Sequence, residues 1–176
     1  MRFGDIMMTE RRRVYWDACA WLGLINGEPD KAADLKVVWH KAERGQLEVW
    51  TSAFCLAEVY KVKCEGGKTG LAAEEDNQID NLFEQDFVHV VQVDIEIAER
   101  ARSLLRSHEK LKKPSDAIHL ATAVVWNLDQ LHTYDMSDLI GLSVIRADGK
   151  PLEICTAAMV DGENLFTAGD PGDETE

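Results

Sequence analysis

KPSDAIHLATAVVWNLDQLHTYD, residues 113 to 135, decides how the rest of the chain is read. Its first part, "KPSDAIHLATAVVW", is an apolar run of helix-friendly residues opened by proline, serine and aspartate. Pro114 suits the first turn of a helix, and Ser115 or Asp116 is expected to cap its free N–H groups. The run is apolar on nearly all sides, so the helix is expected to be buried. "QLHTYD" then reads as a short strand ending at Asp135. A buried helix leading directly into a strand is half of a β-α-β unit.

The same alternation extends outward in both directions. Upstream, "FVHVVQVD" is a valine-rich strand, and "IEIAERARSLLRSHEKL" is amphipathic with Ile97, Ala101, Leu104 and Leu105 on one side. Before them, "GLAAEEDNQIDNLFEQ" is an acidic helix. "AFCLAEVYKVKCEGG" is expected to be a helix ended by glycine, and "QLEVWTS" a strand. "PDKAADLKVVWHKAERG" is a helix closing on Gly45. The first strand, "RVYWD", stops at Asp17 and is followed by the buried run "ACAWLGLI". Downstream, "GLSVIRA" suggests one more short strand. Strands separated by helices imply an α/β fold with a parallel sheet covered on both faces. In such sheets the functional crevice lies beyond the carboxyl ends of the strands, where Asp17 and Asp135 both fall.

Composition limits what the protein can be. The 176 residues suit one domain with a full core. No stretch approaches 18 uncharged apolar residues, and "MRFGDIMMTERRR" lacks the apolar block of a signal peptide, so no membrane partner and a cytoplasmic location are expected. The net charge of −13 excludes a simple basic coat for nucleic acid. The charge is unevenly spread: from Pro151 onward there are seven acids and no Lys or Arg, which leaves 25 acids against 19 bases before it. The expected organisation is an N-terminal extension over residues 1–11, a domain over 12–147 and a solvated acidic tail over 148–176. The four cysteines, Cys19, Cys55, Cys64 and Cys155, form no C-x-x-C pair and the histidines no H-x-x-x-H, which argues for buried free thiols rather than a zinc site.

Four acids draw attention. Each has an ordinary explanation: Asp17 and Asp116 as helix caps, Glu58 as an ion-pair partner of Lys61, and Asp135 as a turn former. Taken together, "VYWDACAWL", "TSAFCLAEVYK", "KPSDAIHLATA" and "LHTYD" are similar in order, spacing and flanks to the PIN-domain ribonucleases, in particular the VapC-type toxins of bacterial toxin–antitoxin pairs. The resemblance covers about residues 12 to 147. It implies a three-layer α/β/α sandwich with a mainly parallel central sheet, a cluster of three or four acids binding Mg²⁺ or Mn²⁺, and hydrolysis of RNA phosphodiester bonds. By matching position, Asp17, Glu58, Asp116 and Asp135 take the acidic places, with Asp138 an alternative to Asp135. It also implies an antitoxin partner that wraps the toxin with an apolar helix, with Trp39 or Trp50 as candidates for its groove; a homodimer is a further possibility. The family often has Ser or Thr after the first aspartate, where this chain has Ala18; Thr133 stands where a similar family hydroxyl often lies.

The residue types agree with that chemistry. Carboxylates without strong His or Cys ligands favour a hard ion such as Mg²⁺ or Mn²⁺ over zinc. Asp17 and Asp116 are the expected direct ligands, with Glu58 and Asp135 holding waters or a second ion. His119, on the Asp116 face of its helix, is expected to orient other groups rather than act as a base. Lys110, Lys112, Lys113, Lys61 and Lys63 are expected to rim the pocket and contact phosphates, whereas Arg11 to Arg13 belong to the far end of the first strand. Three rival readings fit the sequence less well. "GGKTG" lacks the first glycine and the preceding strand of a phosphate-binding loop. A phospho-accepting receiver needs paired acids after the first strand, and Asp17 stands alone. A PIN-like module that binds RNA or protein without catalysis would not need all four acidic positions filled.

Overall fold

The computed structural model describes residues 11–66 and 73–159. The N-terminal extension expected over 1–11 and the "GGKTG" loop therefore lie almost wholly outside the described residues. Within them the chain alternates as β1 (Arg12–Trp16), α1 (Ala18–Ile25), α2 (Ala32–Glu43), β2 (Leu47–Ser52), α3 (Ala53–Glu58), α4 (Ala73–Phe83), β3 (Val88–Val91), α5 (Ile95–Ser107), α6 (Pro114–Val125), β4 (Gln130–His132), β5 (Val144–Ile145) and β6 (Pro151–Cys155).

The six strands form one sheet in the order β3-β2-β1-β4-β6-β5. Every pairing is parallel except that of β5 with β6. β1 is central, and Val14, Tyr15 and Trp16 are completely buried. Its alternation serves two cores, because successive side chains leave opposite faces of a strand. Val14 and Trp16 join Trp21, Leu35, Val38 and Phe83 under α1, α2 and α4. Tyr15 joins Ile97, Leu104, Leu120 and Leu131 under α5 and α6. Helices on both faces of a mainly parallel sheet make the three-layer α/β/α arrangement.

Strand order reverses at β1: β2 and β3 build outward on one side, and β4 is added on the other. The crevice at this switch point opens beyond Trp16 and His132, so the residues following β1 and β4 border it. α6 delivers its N-terminus to the same edge. At its other end α6 stops at Trp126, and Asn127 turns the chain toward β4 with a left-handed φ of 52°, a conformation asparagine tolerates.

Three expectations need correction. The helix expected from Ala53 ends at Glu58; Val59 leaves helical geometry, and β-branched Val59 and Val62 are instead buried in the core. The domain does not stop at residue 147, because β6 pairs in register with β4 from Gln130↔Glu153 to His132↔Cys155. Leu152 is buried and Ile154 half-buried while Pro151 and Glu153 are exposed, so this segment reads as a strand by its alternation, and Cys155 is buried at its end. Finally, Cys55 and Cys155 are buried free thiols, whereas Cys19 and Cys64 are exposed.

Candidate functional site

Asp17 follows β1 directly and caps α1, accepting from Ala20 N–H at 2.9 Å. It is buried, and the Thr133 hydroxyl also donates to it. Burial raises its pKa against the lowering effect of Thr133, His119 and the Ala20 N–H, and the neighbouring Asp116 raises it further. A hydroxyl does therefore support the first aspartate; it comes from Thr133, just after β4, while Ala18 contributes none.

Asp116 does not cap α6. The cap position is Lys113, which makes no side-chain capping bond, and Pro114 opens the helix, leaving Asp116 in its first turn with its side chain free to enter the crevice. Asp116 Oδ2 is buried and has no hydrogen-bond partner. Burial, then the charges of Asp135 and Asp138, hold its pKa above the ordinary carboxylate value in spite of Lys113.

Asp135 closes the segment after β4 and shapes the next turn. Its Oδ1 accepts from Ser137 N–H at 3.0 Å, Asp138 N–H at 2.8 Å and the Ser137 hydroxyl at 2.7 Å. This turn brings in Asp138, itself buried, beside Asp135. The structure brings both to Asp116, with one carboxylate oxygen of each of the three within 4.8 Å of the others. Burial pushes the Asp135 pKa up, but the Ser137 and Lys113 hydrogen bonds outweigh it and hold the carboxyl well below its usual range.

Lys113 lies at the centre of these acids rather than on their rim. Its Nζ is 2.9 Å from Asp135, 3.1 Å from Asp138 and 3.5 Å from Asp116. The last distance is too long for a good hydrogen bond, which is why Asp116 Oδ2 lacks a partner. Of the other lysines, Lys110 donates to the Ile140 carbonyl and so ties the start of this region to the turn after Asp138. Arg13, as expected, works at the opposite end of the sheet, donating to the Asn127 carbonyl at 2.7 Å.

Glu58 turns to a different partner. Its Oε2 is 2.6 Å from His119 Nε2, and His119 Nδ1 is 2.8 Å from the Tyr15 hydroxyl, which in turn is 3.0 Å from Ser52 Oγ. His119 is buried between Tyr15 and Phe54, with ring centroids 5.7 Å away on both sides. A carboxylate accepting from Nε2–H fixes the imidazole so that it orients Glu58, the role expected from its position one turn after Asp116. Sequence reading missed the central place of Lys113 and the joint presence of Asp138. Both carry a signal in hindsight of spacing alone: Lys113 is three residues before Asp116, and Asp138 three after Asp135.

The donor set is chemically suited to a hard divalent ion. Every available atom is a carboxylate oxygen, and Asp116 Oδ2 is a buried acceptor awaiting a partner. Of the four acids expected from the sequence, the trio contains Asp116 and Asp135; Asp17 is linked to it by the charge of Asp116, and Glu58 is held by His119.

Comparison with known proteins gives a consistent answer. The family model described as PIN domain matches residues 14–137. Among solved structures, the sarcin–ricin loop cleaving toxin VapC20 of Mycobacterium tuberculosis aligns with a TM-score of 0.55 at 19% identity, covering 70% of this chain and 90% of that one. A toxin–antitoxin complex from Klebsiella pneumoniae aligns at 0.54 and 22% identity, over 73% of this chain and 92% of that one. VapBC2 of Rickettsia felis, bound to a DNA fragment from its promoter, aligns at 0.53 and 14% identity, over 70% and 89%. No curated protein sequence matches the chain.

Proposed function

Because this chain belongs to the PIN-domain family, we propose that it is a metal-dependent endoribonuclease that hydrolyses RNA phosphodiester bonds, acting as the toxin of a toxin–antitoxin pair in the cytoplasm. The observation that carries the reading is the convergence of Asp116, Asp135 and Asp138 at the switch point of the sheet, with a buried Asp116 oxygen that accepts no hydrogen bond.

Asp116, Asp135 and Asp138 would hold Mg²⁺ or Mn²⁺. A bound ion of this kind polarises phosphoryl oxygens and lowers the pKa of a coordinated water. The chain's own contribution is to fix the acids that surround the reacting phosphate. Thr133 and the Ala20 N–H orient Asp17. His119 holds Glu58 through Oε2, which leaves Oε1 to accept from a water. Asp135 is kept ionised by the turn that follows it, so it is ready to bind a cation at any ordinary pH.

The neighbours' descriptions, one as a sarcin–ricin loop cleaving toxin and one as a toxin–antitoxin complex, support a nucleic-acid substrate and an antitoxin partner. No described helix is long and apolar enough to cross a membrane. Trp39 and Trp50 are poor candidates for an antitoxin groove, since each packs against a core. Leu56 and Tyr60, 40% and 64% exposed on either side of Glu58 in the sequence, are better ones.

The test is cleavage of a structured RNA by the purified protein with Mg²⁺ or Mn²⁺, with excess chelator, and with Asp116→Asn. The reading expects cleavage in the first condition and none in the other two. Undiminished cleavage in chelator would reject the metal mechanism. Binding of RNA without cleavage by the metal-loaded protein would favour the non-catalytic module instead.

A further inference from the structure

The proposed metal site asks three carboxylates to accept a cation, and a cation of this chain already stands among them. Lys113 Nζ approaches Oδ2 of Asp135, Asp138 and Asp116, at 2.9, 3.1 and 3.5 Å. These are not the contacts of an incidental surface pair. They join the start of α6 to a turn 22 residues further on. They involve side chains of low exposure, 17% for Asp135, 11% for Asp138 and 14% for Asp116.

An ammonium has three N–H donors and no acceptor, so Asp135 and Asp138 engage it within hydrogen-bond distance while Asp116 stands as the longer member of the same ion-pair group. A divalent ion taking ligands from the same trio would sit much closer to them, since magnesium–oxygen distances are about 2.0 to 2.1 Å. Both cations need the same oxygens, and like charges at that separation repel strongly in a partly buried site. Lys113 is able to leave, because its side chain is 55% exposed and is rooted at the helix cap position, before the regular turns of α6.

We propose that Lys113 is the resident counter-ion of the Asp116–Asp135–Asp138 cluster and competes with the divalent ion for it, so that metal entry displaces the lysine and the lysine sets the apparent metal affinity. The proposal rests on the metal-site reading above. A site whose competent form is only part of the population binds with correspondingly reduced apparent affinity. In the metal-free protein the same lysine relieves the mutual repulsion of the three acids.

Two measurements on the full chain test it. Calorimetric titration with Mn²⁺ compares the chelator-treated wild type with Lys113→Met and Lys113→Arg. Lys113→Met should bind Mn²⁺ roughly fivefold or more tightly, the lower end of ordinary coupling between ligands, and should melt at a lower temperature without metal. Lys113→Arg, which keeps the competing charge, should stay near the wild type. Equal or weaker binding by Lys113→Met would overturn the competition while leaving the metal site standing; absence of Mn²⁺ binding in every protein would overturn both. The second measurement needs no variant: acylation of lysine amines, read by mass spectrometry, should become faster at Lys113 on adding saturating Mg²⁺ and stay unchanged at Lys36 and Lys150. A rate at Lys113 that stays constant or falls would overturn the proposal.

Discussion

Asp116 and Asp135 are both aspartates of one cluster, yet their surroundings push them in opposite directions. The Asp116 pKa is raised, by burial first and by its acidic neighbours next, so its negative charge opposes folding of the metal-free protein. That opposition is absent below the unfolded value of about 3.9 and is fully felt once pH exceeds the raised native value. Asp116→Asn should therefore raise the metal-free melting temperature at pH 7, with the gain over wild type shrinking to nothing as pH falls below 4. Asp135 is the reverse case. Its lowered pKa means that its charge supports folding above the unfolded value, and this support is lost as pH falls toward the native one. Asp135→Ala should cost about 1 to 3 kcal/mol at neutral pH, because the N–H groups of Ser137 and Asp138 and the Ser137 hydroxyl lose an ionised acceptor. Denaturant melts of both variants at pH 7 and pH 4 check the signs; a destabilised Asp116→Asn would mean that its charge is compensated after all.

At the scale of elements, the site depends on how β1, β2, α3 and α6 are tied together. The link is one buried polar chain, Glu58–His119–Tyr15–Ser52, which crosses from α3 to α6 and then through β1 to the end of β2. Tyr15→Phe leaves His119 Nδ1 and Ser52 without this hydroxyl in a place water does not reach. The expected loss is about 1 to 3 kcal/mol, the cost of leaving buried polar groups unpaired. Cleavage should fall less than in Asp116→Asn, since Tyr15 touches none of the acids; equal stability of Tyr15→Phe would show that the chain of bonds is not maintained in solution. None of these bonds is legible in the sequence. Helix and strand periods show that His119 and Tyr15 are buried, but register between β1 and α6 depends on how apolar surfaces of both interlock, which involves residues over 100 positions apart. The strand ends, by contrast, were legible. "RVYWD" stops at Asp17 directly after β1, and "QLHTYD" carries Asp135 three residues beyond the end of β4 at His132; a parallel sheet leaves little choice about which edge receives both. The length of α3 was not, because the buried Val59 and Val62 of "EVYKVK" keep the three-residue spacing of a helix although the chain leaves helical geometry at Val59.

The molecule as a whole is asymmetric in what it needs from its two ends of sequence. Composition places the start of the acidic tail at residue 148, because charge falls to one sign from Pro151 onward; what composition cannot weigh is that Leu152 and Ile154 share one face of a strand with Glu153 between them on the other, and that β4 has an open edge beyond β1. β6 fills that edge, and β5 is held to the sheet only through β6. Arg146 closes the loop between them by donating to the Leu128 carbonyl at 3.1 Å and to Asp129 at 2.8 Å, so the β5–β6 hairpin also anchors the turn that leads into β4. β4 in turn positions Thr133 and Asp135. A chain ending after Gly149 would therefore expose the edge of β4, uncover Leu131 and Val144, and loosen the strand that leads into Asp135 and Asp138, two of the three clustered acids. Its expected behaviour is loss of cooperative unfolding together with loss of the Mn²⁺ response. A chain ending at Val160 keeps β6 and Ala157, which is buried against the first core, and removes a segment of six acids with no positive charge. That protein should melt cooperatively near the full-length temperature and cleave RNA within a few-fold of it, and its net charge of −7 in place of −13 should weaken the long-range repulsion of RNA, so that any change in rate is an increase that fades as salt is added.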